Sequence, residues 1–142
     1  MAKIKVLFLC INNSARSQIA EGLLKSLYGE YYEVESAGTN PTMVNPYAIE
    51  VLAEIGVDIS ECRSKSLNEF EGFEFDYVAT VCGGEQRCPF FPGGTNYIHQ
   101  SFHDPAEIDG SNTDKTNAFR RTRDEIKEWI TKTFISRGEM IC

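Results

Sequence analysis

Basic residues are scarce in this chain: 14 Lys and Arg stand against 21 Asp and Glu in 142 residues, a formal net charge of −7. No basic cluster is long enough to follow a nucleic-acid backbone, so nucleic acid is not an expected partner. No run approaches the roughly 20 consecutive apolar residues of a membrane-spanning helix, and residues 1–5 lead straight into a strand-like run without signal-peptide character. A cytoplasmic protein without membrane contact is expected. Internal repeats, low-complexity tracts and linker-like stretches are also missing. One domain over residues 1–142 is therefore expected, and a hydrophobic content of 42% supplies its core. The cysteines number 5, an odd count, and without an export signal a static disulfide framework is disfavoured against catalytic or redox thiols. The acidic balance does not exclude an anionic ligand. At a Debye length of about 8 Å distant carboxylates are screened, and local donors decide.

What is present alternates between strand and helix patterns. Residues 4–10 (Ile-Lys-Val-Leu-Phe-Leu-Cys) form a short apolar run of the kind buried on both faces of a parallel sheet. Ile19, Ala20, Leu23, Leu24 and Leu27 then recur at helical spacing, with Gly29 as a stop. A second strand fits residues 32–37. A helix fits residues 46–55, capped by Asn45 and closed by Gly56. Strands are expected over 75–81 and 96–102, separated by a Gly- and Pro-rich loop, and a last helix over 113–134. Such alternation predicts an α/β fold with parallel strands. Ligands of open α/β sheets bind beyond the carboxyl ends of the strands, where strand order reverses. Cys10 and Cys82 each close a predicted strand at that edge.

Between the first strand and the first helix the sequence reads Cys10-Ile11-Asn12-Asn13-Ser14-Ala15-Arg16-Ser17, the pattern C-x5-R-S. A loop wrapping onto a helix N-terminus points successive backbone N–H groups inward, and with the helix dipole it makes a concave anion site. The same field favours the thiolate of a cysteine. Arg16 offers a planar fork matched to two oxygens of a tetrahedral oxyanion. Asn12 and Asn13 tolerate left-handed backbone, and the Ser17 hydroxyl is a donor for the Cys10 sulfur. Spacing alone is a weak signal; its position between strand and helix is what gives it weight. Ile11, Asn12, Asn13, Ser14, Ala15 and Arg16 are the expected oxyanion-binding residues around Cys10.

Residues 13–18 (Asn-Ser-Ala-Arg-Ser-Gln), followed by Ala20-Glu21-Gly22, Ser36-Ala37-Gly38 and Asn45-Pro46, resemble the low-molecular-weight tyrosine phosphatase superfamily. Within it the chain resembles the thioredoxin-coupled arsenate reductases, over about residues 3–130. The resemblance implies a flavodoxin-like doubly wound fold, with four parallel strands and helices on both faces. Thr80-Val81-Cys82, with Cys88-Pro89 six residues on, resembles the resolving cysteine pair of the reductases. After Asp104-Pro105 the phosphatases usually carry aromatic residues that grip a phenyl ring, whereas Ala106 and Glu107 stand here.

The implied reaction is a relay. Cys10 attacks arsenate, with phosphate or sulfate as analogues, and Asp104 gives a proton to the departing oxygen. Cys82 attacks the adduct and Cys88 resolves the disulfide, which passes to thioredoxin. No bound cofactor, no metal and a monomer are expected. By residue type alone Asp104 is a turn carboxylate before Pro105; the resemblance makes it the acid. A zinc pair is a poor reading of Cys82 and Cys88, whose spacing is long and which no second pair follows. Successive exchanges require the Gly-rich segment 83–94 to move. Cys62, Cys142, His99 and His103 match no step. Some relatives hold potassium behind the loop; Asn13, Glu21 and Ser36 match that site, but Lys65 replaces its aspartate, so potassium activation is not expected. Two other readings stand: phosphomonoester hydrolysis on tyrosine through Cys10, Arg16 and Asp104, and a non-catalytic redox-sensing module.

Overall fold

Unbroken apolar runs form strands here because both faces of the sheet are covered. Positions 6–10 of β1 (Ile4–Cys10) are all buried. The computed structural model describes residues 3–82 and 89–134. In it β1 pairs with β2 (Tyr32–Gly38) on one side and with β3 (Phe75–Thr80) on the other, and β3 pairs with β4 (Gly94–His99). All three pairings are parallel, in the order β2-β1-β3-β4. The α-helices among the described residues are α1 (Arg16–Tyr28), α2 (Pro46–Ala53) and α3 (Asn112–Thr133). Strand order reverses at β1, between β2 and β3, so the C-terminal end of β1 is the ligand-binding edge of such a sheet. Cys10 occupies that end.

The helix starts follow their caps. The Asn45 side chain accepts from the Tyr47 N–H at 2.9 Å, with Pro46 in the first helical turn. Ser111 and Asp114 form a reciprocal capping box at the start of α3. The ends differ from expectation. α2 stops at Ala53, and the turn that follows closes on Gly56 at φ +79°. Gly29 keeps right-handed backbone; a Cβ there would lie 2.3 Å from the Lys25 carbonyl oxygen, so close approach and not a left-handed cap requires the glycine. β4 runs over Gly94–His99 and not over 96–102, because Phe102 has left the sheet.

The covering layers are uneven. Val6, Phe8, Val34 and Ala79 face Ile19, Leu23, Val51, Leu52, Phe119 and Ile126, so all three α-helices contribute to one cluster. On the other face Leu7, Leu9, Ala37 and Val78 meet Phe70, Phe75 and Phe91. Helices on both faces were expected; among the described residues the second face is covered by a 3-10 turn, Leu67–Phe70, and by the loop carrying Phe91. Gly93 and Gly94 belong to this cover. A Cβ on Gly93 would lie 2.3 Å from the Phe73 carbonyl oxygen, and one on Gly94 2.6 Å from Val78. These two glycines permit tight packing, so the expected mobility of segment 83–94 is not built on them.

Candidate active site

The loop after β1 delivers Cys10 to the mouth of a small cleft of about 60 Å³, lined by Cys10, Ile11, Asn12, Ser14, Ala15, Arg16, Asp104 and Ala106. A water takes roughly 30 Å³ in the liquid. The cleft is small, of the scale of a compact inorganic anion. None of its lining residues is aromatic. Ala15 at the N-cap of α1 offers no capping side chain, and the first turn of α1 holds no acidic residue. The start of α1 therefore brings no carboxylate of its own to the cleft, and the one carboxylate lining it, Asp104, comes from the loop before α3.

Cys10 is 3% exposed, and its sulfur lies 2.9 Å from the Ser17 hydroxyl oxygen. Either atom can donate in that bond, and against a Cys10 thiolate the Ser17 hydroxyl is the donor. Asn13 Nδ2 donates to Ser17 Oγ at 2.8 Å, which leaves the hydroxyl proton available for that bond. Asn13 Nδ2 also donates to Ser36 Oγ at 2.9 Å, and Ser36 donates to Glu21. Asn13 Oδ1 accepts from the Lys65 backbone N–H at 2.7 Å and from Gln18 Nε2 at 3.0 Å. Asn13, expected among the oxyanion-binding residues through its backbone N–H, is fully buried and stands at φ 48°, and its side-chain amide is committed to the scaffold behind the loop. Left-handed backbone suits Asn better than most residues, and four hydrogen bonds hold it there.

Arg16 is 5% exposed and reaches across to the loop before α3. Its Nη1 donates to the Phe102 carbonyl at 3.0 Å, and Nη2 stands 3.6 Å from Asp104 Oδ2. The other Asp104 oxygen accepts from the Ala106 N–H at 3.0 Å and caps the short 3-10 turn Pro105–Glu107. Turn carboxylate and site carboxylate are thus the same group, one oxygen serving each part. Gly38 sets the rear wall: a Cβ there would lie 2.3 Å from the Ile11 carbonyl oxygen. Only glycine lets β2 come this close to the loop.

Cys82 follows β3 and is fully buried, within the same core cluster as Cys10. The Val81 N–H donates to the Leu9 carbonyl at 2.9 Å, extending the β1–β3 ladder to the cysteines. Cys82 Sγ lies 3.9 Å from that same carbonyl oxygen. Neighbouring strands are about 4.8 Å apart, so the two thiols end adjacent strands at one edge. Cys88, the third expected thiol, and Cys142 lie outside the described residues. Cys62 is half-buried away from the cleft; burial pushes its thiol up, and the Glu21 carboxylate adds to that. His103 is exposed, and His99 bridges Thr80 (2.7 Å) and Ser101 (3.1 Å).

Behind the loop the donor set does not fit a potassium ion. Lys65 Nζ stands 3.5 Å from Glu21 Oε1, and Lys25 Nζ 2.7 Å from Oε2. Ammonium groups already supply the positive charge. Among the described residues no group of three or more His, Cys, Asp or Glu is placed to hold a metal.

Two contributors escaped the sequence reading. Phe102 holds Arg16 through a main-chain carbonyl, which any residue carries, so no side-chain signal marks it. Gln18 donates to Asn13 Oδ1 and to the Arg63 carbonyl, both at 3.0 Å; its place after Ser17 was visible, its task was not.

Residues 5–138 match the family described as low molecular weight phosphotyrosine protein phosphatase. The arsenate reductase of Halalkalibacterium halodurans is 41% identical over 140 residues, covering 98% of this chain and 100% of the relative. A solved structure described as an arsenate reductase in the phosphate binding state superposes with a TM-score of 0.74 at 30% identity, covering 91% of this chain and 95% of the other. The thioredoxin-dependent arsenate reductase of Corynebacterium glutamicum gives a TM-score of 0.64 at 31% identity, over 92% of this chain and 61% of that one.

Proposed function

The chain belongs to the low molecular weight phosphotyrosine protein phosphatase family, and from that membership we propose that it reduces arsenate to arsenite through three cysteines, Cys10, Cys82 and Cys88, recharged by thioredoxin. The observation that carries the reading is the placement of Cys82. A hydrolase of this family needs one thiol in the loop; here a second, fully buried thiol ends the neighbouring strand in the same cluster. Further support comes from the arsenate reductases among the relatives and from the thioredoxin dependence of the Corynebacterium protein.

Arsenate binds in the loop with Arg16 as its charged fork. The Cys10 thiolate, held by the Ser17 hydroxyl, attacks arsenic, and one oxygen leaves as water with the proton given by Asp104. The Cys82 thiolate then attacks Cys10 Sγ. A sulfur–sulfur bond forms, the sulfur–arsenic pair passes to arsenic, and arsenite departs with two electrons gained. Attack by the Cys88 thiolate on Cys82 Sγ releases the Cys10 thiolate and leaves a Cys82–Cys88 disulfide. The dithiol of thioredoxin opens it and is itself oxidised. No resident cofactor enters the sequence, and the reading is of a cytoplasmic, monomeric single domain.

Arsenate-dependent oxidation of NADPH in the presence of thioredoxin and its reductase tests the reading. Turnover is expected for the unmodified protein and a loss of at least about 100-fold for Cys82→Ser and for Cys88→Ser, since each removes an essential nucleophile. Hydrolysis of a phosphomonoester, which needs only Cys10, Arg16 and Asp104, should survive both changes. An unmodified protein that cleaves phosphate esters but consumes no NADPH with arsenate is a phosphatase, and one that does neither is a sensor.

A further inference from the structure

On the second face of the sheet, away from the anion cleft, aromatic rings stand in solvent. Phe90 is 71% exposed, Phe73 56% and Tyr97 48%. Phe73 and Phe90 line a shallow cleft of about 490 Å³ together with Leu67, Phe91 and Pro92. The rings are held in place. Phe90 stacks on Tyr97 at 5.3 Å between centroids, and Phe73 meets Phe70 edge-on at 5.8 Å. The Tyr97 hydroxyl donates to the Phe91 carbonyl at 2.9 Å and accepts from the Gly94 N–H at 3.1 Å. An exposed aromatic pair fixed by hydrogen bonds loses little entropy on association and has the composition of a binding hot spot.

Its neighbour in sequence says what covers it. Phe90 follows Cys88 by two residues, and two residues of chain span at most about 7 Å whatever their conformation. A protein interface of ordinary size buries about 800 Å² on each partner, a disc of roughly 16 Å radius. Any protein dithiol that docks with its sulfur against Cys88 must therefore cover Phe90. We infer that the Phe90–Tyr97 stack, with Phe73 beside it, is the docking anchor for the dithiol reductant, an oxidoreductase of the thioredoxin class with an apolar surface around its cysteine pair. The inference rests on the three-cysteine relay proposed above and gives that relay its partner surface. No bond chemistry is added: the ring pair positions the partner while sulfur exchange proceeds at the Cys82–Cys88 disulfide.

Steady-state turnover with thioredoxin as the varied substrate, compared with turnover driven by dithiothreitol, tests the assignment. Phe90→Ser should raise the KM for thioredoxin at least about tenfold, as truncation of an interface anchor does. It should leave dithiothreitol-driven arsenate reduction unchanged, because a small dithiol needs no platform. Phe90→Tyr should restore the wild-type KM, and Tyr97→Ala, which removes the ring beneath Phe90, should reproduce the defect. A wild-type KM in Phe90→Ser overturns the assignment, as does an equal loss with both reductants, which would mean that the ring shapes the exchanging loop. If a second copy of the chain occupies the patch, sedimentation will show a concentration-dependent dimer that Phe90→Ser abolishes without changing that KM, which also overturns it. Absence of any thioredoxin-driven turnover in the unmodified protein would instead sink the relay reading itself.

Discussion

Asn13 uses both amide hydrogens and accepts two hydrogen bonds at its carbonyl oxygen, and it so holds two hydroxyls, Ser17 beside Cys10 and Ser36, which donates to Glu21. The chain of contacts ends on a buried carboxylate whose charge must be matched. Lys65, 8% exposed, does this from one side and Lys25 from the other. Exchanging sodium for potassium at constant ionic strength should therefore leave kcat/KM for arsenate unchanged; a several-fold rise would show that the ion still finds a site. Lys65→Met leaves Glu21 with Lys25 alone and should lower stability by about 3 kcal/mol, the lower end for breaking a buried pair, read from the denaturant midpoint. At this scale the residue types of the loop were legible from the sequence, because C-x5-R-S between strand and helix is local information. The division of labour inside the loop was not. The Asn13 side chain is held behind the loop, where Lys65, 52 positions further on, presents its N–H.

Elements are tied together by ion pairs that no local pattern reveals. Glu54, just past α2, accepts from Arg120 Nη2 at 2.6 Å and from Arg123 Nη1 at 2.8 Å, both on α3, while Arg123 also donates to the Val51 carbonyl at 2.9 Å. Hydrogen bonding to Arg120 holds the Glu54 carboxyl down to about 2, with Arg123 adding to the effect and partial desolvation opposing it. A carboxyl depressed by folding stabilises the fold fully above its ordinary value near 4.5. That contribution is lost as pH falls toward about 2, because the folded state must then take up the proton. Chemical denaturation at pH 5, 4, 3 and 2.5 should show a shallower loss of stability for Glu54→Gln than for the unmodified chain. Parallel curves would remove the tie between α2 and α3. A partner 66 positions away leaves no trace in the spacing of α3.

For the molecule as a whole, the uneven covering of the sheet sets where it opens. β1 is central, with residues 6–10 buried and parallel neighbours on both sides, whereas β4 is an edge strand with exposed or half-buried positions throughout. Native-state hydrogen exchange should give β1 amides the protection of global unfolding. β4 and the Leu67–Phe70 turn should exchange through smaller openings that leave the three α-helices in place. Equal protection of β1 and β4 would contradict this. The difference bears on the proposed function, since β4 follows the segment carrying Cys88, where the proposed relay would require movement.

Apolar runs, helical periodicity, caps and the cysteine–arginine loop depend on neighbours in the chain, and for these the primary structure sufficed: four strands, the three helices, Cys10 with Arg16, and Cys82 at a strand end were all legible there. Pairing across the chain obeys geometry that spacing does not carry. Folding alone brought Phe102 to Arg16, gave each Asp104 oxygen its own partner, and committed the Asn13 side chain to the scaffold. It also left Phe90 stacked on Tyr97 in solvent, because each of these contacts depends on where the parallel sheet and its loops put the residues, whereas the pairing of Lys65 with Glu21 was already expected from the sequence.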